Sequence, residues 1–206
     1  MAEFKLYGFG ESGNSYKVAL MLNLCELEWE SVFVDFFNGE TRSAAYRNDI
    51  NEMGEAPVLE HKGVKLSQSG VILDYLASLT GKFSGKKAEE RREILRWILF
   101  DNHRFTGYIA TLRYMIFLAK TGETPVTEFL RGRVKNAMAI VDGHLAKTAF
   151  LIGDKPTIAD LSMVGYLYYG DELPFEIAPH VKAWTEKIKA LPGWKHPYDL
   201  MKRGKV

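Results

Sequence analysis

Ser12, Gly13 and Asn14 lie between two contrasting stretches of chain. Before them runs a short aromatic-rich segment, Phe4 to Phe9. After them Val18, Leu20, Met21, Leu24 and Cys25 recur at helical spacing. The first stretch reads as a strand and Asn14 to Leu27 as an amphipathic helix, so Ser12 stands in a strand-to-helix turn. Backbone N–H groups at a helix start point outward without intrahelical acceptors, and the helix dipole adds partial positive charge there. A thiolate placed at such a turn is stabilised, and a hydroxyl donor adds one more hydrogen bond. The thiol pKa then falls from about 8.5 toward neutrality, which puts more nucleophile at working pH. Asn14 is a second donor in the same loop, with the plainer alternative of a helix N-cap, an alternative that Ser12 shares. The single cysteine, Cys25, falls on the apolar face of the helix and reads as an inert buried thiol.

Two further places carry chemistry. Pro57 follows Ala56 at the mouth of a strand, Ala56 to Glu60; it is either a cis proline or a trans proline of an edge strand. Gln68 and Ser69 open a helix that runs to Leu79. Its N-terminus is a ready site for a carboxylate, and Ser67 or Ser69 can also simply cap it. Between these places, Trp29 to Phe37 reads as a strand and Gly39 to Met53 as a polar stretch with at most a short helix. Val64 to Leu66 is a further strand, with His61, Lys62 and Gly63 as the hairpin turn before it. The order is β-α-β-(α)-β-β-α. The first two strands, joined through a helix, should be parallel and the last two antiparallel.

Residues 80–87 (TGKFSGKK) read as a linker, dividing a domain of residues 1–79 from one of residues 88–206. Beyond it Ala88 to Lys120 is one long helical pattern, stopped by Gly122 and Pro125. Val126 to Ala149, Thr157 to Tyr169 and Pro179 to Leu191 follow as further helices, the last closed by Pro192 and Gly193. The architecture is a small α/β domain followed by an all-helical one. With 206 residues, 47% of them hydrophobic, the chain can bury a sizeable core. A net charge of +1 gives no reason to expect a nucleic acid, and no stretch has the apolar length of a membrane span. One cysteine allows no internal disulfide, and the start has no charged region followed by an apolar run. Cytoplasm is the expected location.

Taken in order, the turn Ser12-Gly13-Asn14-Ser15-Tyr16-Lys17-Val18, the segment Glu55-Ala56-Pro57-Val58-Leu59 and the pair Gln68-Ser69 resemble the glutathione transferase superfamily, closest to its serine-type and bacterial branches. The resemblance extends over the whole chain. Gly153-Asp154 and Thr157-Ile158-Ala159-Asp160 match a hallmark of the helical domain, in which Asp160 reaches back to the Thr157 N–H in a capping box. The resemblance implies a thioredoxin-like α/β first domain and an all-α second domain. It implies that Ser12, assisted by Asn14, activates the thiol of glutathione. It makes Pro57 cis, gives Ala56 the cysteinyl part of glutathione, and gives Gln68 and Ser69 the γ-glutamyl part. Arg42 stands where the family often carries a basic residue for the glycyl carboxylate. Asp101-Asn102-His103-Arg104 resembles a stretch of the family's electrophile pocket, with His103 and Tyr108 as the residues expected there. Two departures stand out: Gln68 occupies a position that is usually acidic, and Glu52 and Glu55 stand where proline and a basic or neutral residue are commoner.

The expected function is transfer of glutathione to a small hydrophobic electrophile, with glutathione as co-substrate and no bound cofactor or metal. The alternatives are a glutathione-dependent isomerase or dehalogenase, and a non-catalytic transferase-like binding protein. A symmetric homodimer is expected, because Ile94, Trp97, Ile98, Phe105, Ile109, Leu112 and Ile116 exceed what one side of the helical domain needs for its own core.

Overall fold

The computed structural model describes residues 2–204, which divide into two units. The first comprises the chain up to Lys82 together with the segment from Leu191 onward; the second is Phe83–Ala190. The split falls inside the expected linker. The C-terminal segment, which the sequence reading places with the helical domain, belongs instead with the first unit.

The first unit contains β1 (Phe4–Gly8), α1 (Gly13–Leu24), β2 (Trp29–Phe33), a single 3-10 turn (Glu40–Arg42), α2 (Ala44–Asp49), β3 (Val58–His61), β4 (Val64–Ser67) and α3 (Ser69–Thr80). The strands form one sheet in the order β2-β1-β3-β4. β1 and β2 are parallel, and β3 is antiparallel to both β1 and β4. His61 remains in its strand opposite Val64, so the turn is Lys62 and Gly63 alone. Both residues have positive φ (50° and 80°), as a two-residue turn of the I′ kind requires.

The helix α1 is not amphipathic. It is buried almost all round, Tyr16 and Lys17 included, as expected of a helix with packing partners on every side. One partner is α3. Another is the C-terminal segment, which contains α9 (Pro197–Leu200). That segment is tied down along the helix: Asn23 donates to the Gly193 carbonyl, and the Tyr16 hydroxyl donates to that of Lys195 at 2.9 Å. Gly193 is needed here, since a Cβ on it would lie 3.0 Å from the Asn23 carbonyl oxygen.

The second unit is helical: α4 (Ala88–Phe100), α5 (Thr106–Arg113), α6 (Pro125–Leu145), α7 (Ile158–Met163) and α8 (Pro179–Lys189). The expected single helix Ala88–Lys120 is interrupted by two π-helical turns, Asp101–Phe105 and Tyr114–Leu118. Apolar spacing of three and four does not distinguish an α-turn from one widened by a residue. Ile94, Trp97, Ile98, Phe105, Ile109 and Leu112 are buried within this unit. They are core, and the large hydrophobic residues that α4 leaves exposed are Leu95 and Leu99.

Two buried carboxylates organise the unit. Asp160 accepts the Thr157 N–H at 2.8 Å, closing the expected capping box, and also the Thr157 hydroxyl, the Leu151 N–H and the Trp184 indole N–H. Burial nevertheless pushes its carboxyl pKa up against those donors. Asp101, at the first π-turn, accepts the hydroxyls of Thr106 and Ser162, each at 2.6 Å. No helix among the described residues is long and apolar enough to cross a membrane.

Candidate functional site

The sheet register gathers the candidate residues of the first unit at one end. Tyr7 pairs with Val58, and Val58 pairs with Ser67. The turn after β1, the proline before β3 and the helix start after β4 therefore leave the sheet side by side. Gly8, one residue further on, pairs with Phe33, which brings the chain after β2 to that end as well. There the rings of Phe9, Phe36 and Phe37 cluster with centroids 4.9 to 5.7 Å apart.

Ser12 is the N-cap of α1, with its Oγ accepting the Ser15 N–H at 3.1 Å. This bond uses an oxygen lone pair and leaves the hydroxyl hydrogen available. Gly13 and Asn14 are the first two residues of the helix, so their N–H groups have no intrahelical acceptor. Asn14 is therefore not the cap. Its side-chain Oδ1 is buried without a hydrogen-bond partner. Gly8 allows the turn to close on β1: a Cβ there would sit 2.6 Å from Ser15 Oγ.

The Ala56–Pro57 peptide bond is cis. The loop before it is pinned through Glu55, whose carbonyl accepts the Tyr46 hydroxyl and the Asn51 side-chain amide, each at 3.0 Å. Burial holds the Tyr46 phenol pKa up at about 12, so it stays a donor. Neither main-chain group of Ala56 has a hydrogen-bond partner among the described residues.

At α3 the N-cap is Gln68, in the left-handed region at φ 68°, and its side chain makes no capping bond. It donates instead to Glu55 Oε2 at 2.7 Å. Neither Ser67 nor Ser69 caps the helix. Ser69 is buried in the first turn, and its hydroxyl has no hydrogen bond among the described residues. By contrast, Ser43, Thr124 and Thr157 cap α2, α6 and α7, and Asp142 accepts two N–H groups at the start of α8.

The remaining residues are more dispersed. Arg42 is exposed at the end of the 3-10 turn, with its Nε against Gly39. The sequence reading passed over Arg47, on the last turn of α2. Its guanidinium lies 3.1 Å from where a Cβ on Gly54 would be, two residues before Ala56. The left-handed glycine in an otherwise polar stretch was the available signal. His103 is exposed on the first π-turn of the second unit and Tyr108 is half-buried on α5. Cys25 is buried, and desolvation raises its thiol pKa. Among the described residues no cluster of His, Cys, Asp and Glu could hold a metal ion.

The chain has relatives among known proteins. Residues 2–78 match the family model "Glutathione S-transferase, N-terminal domain", and residues 106–192 match "Glutathione S-transferase, C-terminal domain". Glutathione S-transferase F14 of Arabidopsis thaliana is 28% identical, the match covering 94% of this chain and 85% of the relative. Maleylacetoacetate isomerase of Rhizobium meliloti (strain 1021) is 31% identical, with 81% of each chain covered. The crystal structure of a glutathione S-transferase from Pseudomonas fluorescens [Pf-5] superposes with a TM-score of 0.89 at 31% identity, covering 95% of this chain and 99% of that one. In both halves and along nearly its whole length, the chain belongs to the glutathione S-transferase superfamily of enzymes.

Proposed function

We propose that the first unit binds reduced glutathione and that Ser12 ionises its thiol for attack on a small hydrophobic electrophile. The observation that carries this reading is the open N-terminus of α3. A helix of this length with free first-turn N–H groups, and a serine hydroxyl without a partner beside them, suits a carboxylate. It emerges at the same sheet end as the cis proline and the Ser12 turn. Ser69 and the α3 N–H groups take the γ-glutamyl carboxylate, Gln68 meets the γ-glutamyl amino group, and Ala56 next to Pro57 offers its free N–H and C=O to the cysteinyl residue. Arg42 or Arg47 serves the glycyl carboxylate.

With the peptide held in this way, the thiol falls at the start of α1. The proton leaves to solvent. The Ser12 hydroxyl donates to the sulfur, Asn14 supports it, and the helix dipole favours the charge. The thiolate then attacks the electrophilic carbon, a C–S bond forms and the leaving group departs with its electron pair. His103 and Tyr108 are the proposed electrophile contacts. The protein works as a cytoplasmic homodimer. A second reading, glutathione-dependent isomerisation, is supported by the Rhizobium meliloti relative and differs in releasing glutathione unchanged.

Calorimetry with reduced glutathione tests the binding, and a panel of electrophiles run with and without glutathione tests the chemistry. Binding should weaken on Ser69→Ala. No heat at millimolar glutathione would overturn the reading. Recovery of free glutathione after turnover would favour the isomerase.

A further inference from the structure

The turn that presents Ser12 is held by the far end of the chain. Gly10 donates its N–H to the Lys202 carbonyl at 2.8 Å. The next residue, Glu11, accepts the Gly204 N–H through Oε2 at 2.9 Å, and its Oε1 lies 3.6 Å from Arg203 Nε. The fit is close on both sides. A Cβ on Gly10 would lie within 3.1 Å of Tyr198 and of the Met201 and Lys202 carbonyls, and one on Gly204 would lie 2.7 Å from Phe37. Arg203 is itself steadied 4.0 Å over the Tyr198 ring, and Lys202 lies 4.6 Å over Phe33.

Glu11 is the unusual member of this arrangement. Only 3% of it is exposed, and it immediately precedes the proposed thiol-activating serine. A buried carboxylate beside a site for a thiolate works against that site, because like charges disfavour ionisation. The N–H and guanidinium brought by the C-terminal segment offset it. Lys17, buried on α1, and His196, the N-cap of α9 whose Nδ1 accepts the Tyr198 N–H, are further ionisable groups of this unit.

We propose that Lys202–Gly204 is a positioning strap for the thiol site and that it acts through Glu11. It fixes the backbone that carries Ser12, and through Arg203 it neutralises the carboxylate next to it. This rests on the reading that Ser12 ionises bound glutathione.

The test uses the full chain and four variants: Arg203→Met, Arg203→Lys, Glu11→Gln and the double variant Glu11→Gln/Arg203→Met. The thiol pKa of bound glutathione is read from ultraviolet thiolate absorbance against pH. Glutathione affinity comes from calorimetry, and stability from urea unfolding. Arg203→Met should raise the thiol pKa by about half a unit or more, roughly a threefold loss of thiolate below the pKa. Glutathione affinity measured below the thiol pKa should stay within about twofold, because there the bound thiol is protonated in wild type and variant alike. Arg203→Lys, which keeps the charge, should restore the wild-type value. So should the double variant, because glutamine keeps an acceptor for the Gly204 N–H while removing the charge. If Arg203→Met changes stability but leaves the thiol pKa where it was, the strap is structural only and the proposal falls. The same holds if the double variant keeps the raised pKa. Failure of the underlying reading shows itself separately, as wild-type protein that binds no glutathione or gives no thiolate signal.

Discussion

Ser12→Ala should separate two bonds that one oxygen makes. The first is visible: Ser12 Oγ accepts the Ser15 N–H at 3.1 Å and caps α1. Losing a serine cap typically costs about 1 kcal/mol of stability. The second is the proposed donation to the glutathione thiolate. A hydrogen bond to a charged group contributes about 1.5–3 kcal/mol, and one pKa unit corresponds to about 1.36 kcal/mol, so the bound thiol should rise by about one to two units. Below the pKa that means about ten- to hundredfold less thiolate, with a matching loss of rate at neutral pH. Affinity should change far less, since most contacts are to the peptide and its carboxylates. Ser12→Thr keeps cap and donor and should keep both properties. Asn14→Ala is the contrasting variant. It removes a buried carbonyl oxygen that has no partner, so stability should hold or increase slightly. The assay is thiolate absorbance against pH, with urea unfolding of the same samples. If the thiol pKa rises in Asn14→Ala but not in Ser12→Ala, Asn14 is the activating donor and the reasoning fails.

Two further outcomes follow from the second unit. Asp160→Ala leaves two backbone N–H groups and the Trp184 indole N–H buried without their acceptor. At about 1–3 kcal/mol for each unsatisfied group, and allowing for relaxation, unfolding should be easier by about 3–5 kcal/mol. Urea unfolding would show a lower midpoint at similar slope, and a loss under about 1 kcal/mol would contradict the account. Light scattering should give twice the monomer mass. Leu99→Glu should reduce it to one, because Leu99 is 60% exposed on α4 beside the similarly exposed Leu95, an apolar pair suited to the proposed partner subunit. A wild-type monomer at micromolar concentration would contradict the dimer.

The parts of this fold legible in the sequence are those whose cause is local. The aromatic run before Ser12 is a strand, Lys62-Gly63 closes a hairpin, and Thr157 and Asp160 cap a helix, each through residues within a few positions of one another. The parts that were not legible depend on distant chain. Periodicity made α1 amphipathic because nothing in Gly13–Leu24 reveals that residues beyond Leu191 return to cover its other side. Arg42 was singled out by position along the chain, whereas Arg47 is brought against the loop before Pro57 by the left-handed Gly54.

The two serines show the limit most clearly. Ser12 and Ser69 both stand at the start of a helix after a strand, and a serine there is read first as a cap. Ser12 does cap. Ser69 does not, because Gln68 takes the cap position in a left-handed backbone conformation that non-glycine residues seldom adopt, and turns its amide to Glu55. That displaces Ser69 into the first turn and leaves the α3 N–H groups open. The conformation of one glutamine, with no local sequence signal, thus separates a helix start capped by its own serine from one left open, where the proposed carboxylate would bind. Gln68 acts there as a backbone shape and, through its amide N–H, as a donor to Glu55; a carboxylate at this position would face Glu55 with no proton to donate.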